Sequence, residues 1–91
     1  MIEPLLAWWT ARLNGEWEHR YGFTIETADN PGLIVTLDPG EPLGPDRIVE
    51  QQSGLDFRVR AGTLVGFAPP GLEAALMSRA VELVEFLPTE I

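Results

Sequence analysis

Phe23-Thr24-Ile25-Glu26-Thr27-Ala28-Asp29-Asn30-Pro31-Gly32-Leu33-Ile34-Val35-Thr36-Leu37 is the stretch that decides the fold. Phe23, Ile25 and Thr27 alternate with Thr24 and Glu26, the two-residue period of a half-buried strand. Asp29-Asn30-Pro31-Gly32 is dense turn chemistry. Leu33 to Leu37 follows as a second run rich in β-branched residues. The pair predicts an antiparallel hairpin.

Downstream, residues 38–46 carry three prolines and two glycines. Each proline removes a backbone donor, so this is loop and neither helix nor central strand. Arg47 to Gln51 reads as a third strand, and Ser53-Gly54 turns the chain. Asp56-Phe57-Arg58-Val59-Arg60 alternates, with Phe57 and Val59 on one face. Ala61-Gly62 turns again into Thr63-Leu64-Val65-Gly66-Phe67, whose Gly66 signals a bulge or a close approach. After Pro69-Pro70-Gly71, residues 72–87 predict a helix ended by Pro88. Leu72, Leu76, Ala80, Leu83, Val84 and Leu87 form its apolar stripe, and Met77, Val81 and Phe86 its exposed flank.

Upstream, residues 3–14 predict a helix opened by Pro4 and stopped by Asn14-Gly15. Leu6, Trp9 and Leu13 mark its stripe, with Leu5 and Trp8 beside it. Trp8 and Trp9 point about 100° apart on a helix, so only one can sit at the centre of the core. The expected fold is α+β: an antiparallel meander sheet of about five strands, with an N-terminal and a C-terminal helix packed on one face. The whole chain, 1–91, is expected to be a single domain.

The chain has 91 residues, a net charge of −8 and no cysteine. Lack of cysteine excludes disulfides, thiolate metal sites and a cysteine nucleophile. The longest apolar runs fall far short of a membrane span, and Met1-Ile2-Glu3-Pro4 lacks signal-peptide character. A cytoplasmic protein with no membrane partner is expected. Fourteen acids against six arginines oppose nucleic-acid binding. The acids are spread along the chain, which keeps a small protein soluble and steers basic partners.

Gly15-Glu16-Trp17-Glu18-His19-Arg20-Tyr21-Gly22 is the segment most able to carry chemistry. A catalytic role would make His19 a general base oriented by Glu18 or Glu26. No serine or cysteine nucleophile accompanies it, so catalysis is the weaker alternative and no catalytic residue is assigned. One histidine with scattered carboxylates lacks the spacing of a metal site, and Asp29-Asn30 is not continued as a calcium loop. No metal and no cofactor are expected.

Gly15-Glu16-Trp17-Glu18-His19-Arg20-Tyr21-Gly22 running into Ile25-Glu26-Thr27-Ala28-Asp29-Asn30-Pro31-Gly32 resembles the signature of the immunity protein 53 family, predicted immunity proteins of bacterial polymorphic toxin systems. The similarity is close over residues 15–32 and looser out to residues 5–87. The chain departs from the family where Leu13-Asn14 replaces a cysteine-bearing pair and in the proline-rich loop. Some members carry a rhodanese-like label, but persulfide chemistry needs a thiolate that this chain lacks. The resemblance implies a protein that binds and neutralises a cognate toxin, and a nuclease with a basic cleft is the toxin expected. It points to Glu16, Glu18, Glu26 and Asp29 as charge and Trp17 and Tyr21 as anchors, with His19 and Asn30 beside them. The same residues can instead hold a turn and plug the core. A small scaffold or homo-oligomeric module is the alternative, so monomer and homodimer both stay open.

Overall fold

The structure is a computed structural model that describes residues 1–87. Helix α1 spans Glu3–Arg12 and is followed by a single 3-10 turn over Trp17–His19. Strands β1 (Gly22–Ala28), β2 (Gly32–Asp38), β3 (Arg47–Gln52), β4 (Leu55–Arg60) and β5 (Thr63–Ala68) come next, then helix α2, Glu73–Phe86. The expected stop at Pro88 lies outside the described residues.

All strand pairs are antiparallel, and the sheet order is β1-β2-β5-β4-β3. The five strands are therefore antiparallel as expected but not one continuous meander: the expected hairpin, β1–β2, is joined to a three-strand meander, β3–β4–β5, by the pairing of β2 with β5. The proline-rich segment makes this possible, because it carries the chain from one side of the sheet to the other. Two-residue turns join β3 to β4 and β4 to β5. Ser53 and Gly54 have φ of 56° and 88°, and Ala61 and Gly62 have 53° and 79°. Positive φ at both central residues is what lets a two-residue turn follow the twist of its strands.

Both helices cover one face of the sheet. Val35 and Leu37 of β2, Phe57 and Val59 of β4, and Leu64 and Ala68 of β5 bury there against Leu5 and Trp8 of α1 and Leu76, Ala80 and Leu83 of α2. Gly66 is a close approach: a Cβ there would lie 2.6 Å from the Phe57 ring. The irregularity in the sheet lies instead at Ile48/Glu50 of β3.

Two expectations about the helices are corrected, and the loop proves to be anchored. In α1 the buried residues are Leu5 and Trp8, whereas Leu6 and Leu13 are 43% and 40% exposed. Trp9 sits at the margin of the core. In α2, Met77 is buried and not part of an exposed flank, which leaves Phe86, 82% exposed, as that flank's one open large residue. The proline-rich segment is pinned through Leu43, a core residue 1% exposed. Burying such a side chain contributes about 1.5–3 kcal/mol. Leu43 N–H also donates to Gly62 O at 3.0 Å.

Candidate functional site

Between α1 and β1 the only periodic element is the single 3-10 turn, Trp17–His19, so side chains hold the segment in place. Asn14 Oδ1 accepts from the backbone N–H groups of Glu16 and Trp17, at 2.9 and 2.8 Å. Glu18 reaches back and accepts from the N–H groups of Asn14 and Gly15, at 3.0 and 2.8 Å. This reciprocal pairing satisfies four backbone donors in one turn, in the manner of a capping box. The Asn14 N–H above all holds the Glu18 carboxyl below the usual glutamate range.

Trp17 is half-buried at the centre of this turn. Its Nε1 donates to Pro39 O at 2.9 Å, tying the segment to the proline-rich loop. Its ring meets Trp8 edge-on, with centroids 5.6 Å apart, and lies 6.4 Å from Tyr21. The Arg12 guanidinium stands 5.1 Å from the Trp8 ring and 5.9 Å from that of Trp17, within cation–π range of both. Tyr21 is half-buried against Gly40, where a Cβ would lie 3.0 Å from its ring. Gly40 has φ of 91° and its N–H donates to Asp38 Oδ1 at 3.0 Å. The aromatic members of the motif thus lock the start of β1 to the loop after β2.

The remaining candidates are exposed. Glu16, His19 and Arg20 surround the open edge of the Trp17 and Tyr21 rings, forming one shallow depression with them. Glu26 stands in mid-strand on the face away from the helices, opposite Ile34. Asp29 and Asn30 occupy the hairpin turn. Gly32 closes that turn, because a Cβ there would fall 2.5 Å from the Phe67 ring and 2.6 Å from Ala68 O. The eight candidates are therefore not one cluster. Five gather at the start of β1, and Asp29 and Asn30 sit past its far end, roughly 20 Å away at the rise of an extended strand. What joins them is β1 itself, an outermost strand of the sheet.

Among the described residues no group of three or more His, Asp or Glu side chains is placed to hold a metal ion. No helix among them is long and apolar enough to cross a membrane. Sequence reasoning missed Asn14 and Pro39 as supports of the motif. The spacing from Asn14 to Glu18, one residue longer than a capping box, was the signal for the first. Nothing local points to the second.

No curated protein and no solved structure matches the chain. The model of the immunity protein 53 family matches residues 2–53, a span from α1 through β3 that contains all eight candidates. The looser similarity beyond residue 53 forms no part of that match. With more than half its length matched, the chain belongs to the immunity protein 53 family.

Proposed function

We propose that the protein binds a cognate bacterial toxin directly and neutralises it without catalysing a reaction. The observation that carries this reading is the disposition of charge along the family-matched segment. Glu16, Glu26 and Asp29 are exposed around a scaffold that Trp17, Glu18 and Tyr21 hold rigid. On a chain of net charge −8 such carboxylates steer a basic partner and speed its encounter. A nuclease toxin fits this chemistry best, since its substrate cleft must attract phosphate and would accept carboxylates in its place. The toxin would be met in the cytoplasm, where nucleic acid lies exposed to it.

The test is co-expression with the toxin domain encoded beside this gene. Survival of the cells and a one-to-one complex on purification are expected. Cell death with no complex overturns the reading. Protection retained by His19→Ala removes the histidine-dependent enzyme; protection lost while the variant still forms the one-to-one complex would favour it.

A further inference from the structure

The sheet has two edges, and they are built differently. At one edge, β3 is broken by the irregularity at Ile48/Glu50 and preceded closely by Pro45. Its Glu50 faces the helix side and is drawn to Arg79 of α2 by a two-pronged contact of 2.9 and 2.6 Å. Bulges, prolines and inward-turned charges are the devices by which proteins stop another chain from adding to an edge. At the other edge, β1 pairs with β2 in unbroken register from Gly22 to Ala28. It holds no proline and no lysine. Thr24, Ile25, Glu26 and Thr27 are all exposed. Among the described residues no strand lies on its outer side.

We propose that this bare edge is where the toxin docks, adding an extended segment to the sheet as a sixth strand beside β1. The inference rests on the toxin-binding reading above and specifies its geometry. Backbone hydrogen bonds would supply the attachment, and alternate side chains the selectivity. On the helix side β1 presents Phe23 and Ile25, and a shallow, mostly apolar groove lined by Leu6, Trp9 and Phe23 opens at the start of the strand. That row takes apolar side chains. On the other side, Thr24 and Glu26 form a polar row that takes arginine or lysine, because opposite charges on neighbouring strands attract. The occupant is therefore a strand alternating apolar with basic residues. A second copy of this chain is a poor occupant, since it would bring one body of charge −8 against another.

Hydrogen exchange of the complex with the neighbouring toxin domain tests this, together with the double variant Thr24→Lys/Glu26→Lys. Both substitutions lie on exposed positions and should leave the fold intact by circular dichroism. Slowed exchange at residues 24–27 in the complex, and at least tenfold weaker toxin binding by the variant, are expected. A toxin that binds with exchange in β1 unchanged overturns the edge proposal and leaves neutralisation standing. A toxin that does not bind overturns the neutralisation reading, and the edge is then decided by peptide alone. An eight-residue peptide alternating arginine and valine should protect residues 24–27 where its glutamate-valine counterpart does not. No protection by either peptide, or a homodimer formed through β1, overturns the edge proposal.

Discussion

The two outermost strands of the same sheet show how differently one fold can treat equivalent positions. β3 is fastened through two of its residues: Glu50 to Arg79 of α2, and Arg47 Nη1 to Leu43 O and Pro45 O, both at 2.9 Å. β1 is fastened at its ends and left bare in the middle. The Trp17 turn holds one end and the Gly32 turn the other, while residues 24–27 face solvent. An edge interrupted by a bulge and tied down by an inward-turned charge resists the addition of another strand. An edge whose ends are held but whose centre is open is preorganised for a partner, because the strand is already extended before anything binds. The family match covers both edges.

The contrast can be broken most severely at the Gly32 end. Gly32→Ala places a Cβ against Ala68 O, a backbone atom with little room to move. We expect a loss of about 1–3 kcal/mol in denaturant unfolding, typical of overpacking a close contact. An unchanged midpoint would show that this end of β1 is not held as described.

Trp17→Phe tests the other end more gently. It keeps an aromatic ring beside Trp8 but removes the donor to Pro39 O. About 1 kcal/mol should be lost, the usual worth of one hydrogen bond. Exchange in residues 38–46 should quicken before that in β3. Equal loosening everywhere would contradict a local anchor.

At the guarded edge, Ser53 holds a left-handed conformation at φ 56°, where a residue other than glycine or asparagine is strained. Ser53→Asn is expected to stabilise the β3–β4 turn by roughly 0.5 kcal/mol. Thermal unfolding would register this as a small rise in Tm, and a fall would refute the turn assignment.

Glu50→Gln should have the smallest effect at neutral pH, because the pair is partly open to solvent. Its signature is pH dependence. Hydrogen bonding to Arg79 first, and its charge besides, hold the Glu50 carboxyl below the usual range. A depressed carboxyl contributes stability that is full above its ordinary value, roughly pH 4.3, and is lost as pH falls through the depressed one. Acid titration followed by circular dichroism should therefore be flatter for the glutamine variant. Identical acid limbs would mean that the contact does not fasten β3.

The strands were legible because turn chemistry bounded each one, while alternation marked β1 and β4 and β-branched residues marked β2. Their lateral order was not, since periodicity says which residues share a face and nothing about which strand lies beside which. The closure of β2 on β5 depends on where the proline-rich loop leads. Leu43 was illegible for a related reason: a single apolar residue among prolines and glycines has no period to reveal its burial. In α1, Leu5, Leu6, Trp8, Trp9 and Leu13 leave little of the helix polar, so either of two stripes could face inward. The Trp8–Trp17 contact selects one. Met77 was misplaced because the buried stripe of α2 is wider than a single row, as helices that cover a sheet require. Within the candidate segment, the sequence did not show which residues hold the turn and which stand exposed on it. Hydrogen-bond and ring geometry assign Trp17, Glu18 and Tyr21 to holding the scaffold and leave Glu16, His19, Glu26, Asp29 and Asn30 exposed upon it.

The most direct test of this account is the structure of the complex between this protein and the toxin domain encoded beside it. The account predicts a toxin segment in extended conformation, hydrogen-bonded to the backbone of residues 24–27, with a basic side chain opposite Glu26. A toxin seated on the helices, or on the β3 edge, with β1 still bare, would contradict it.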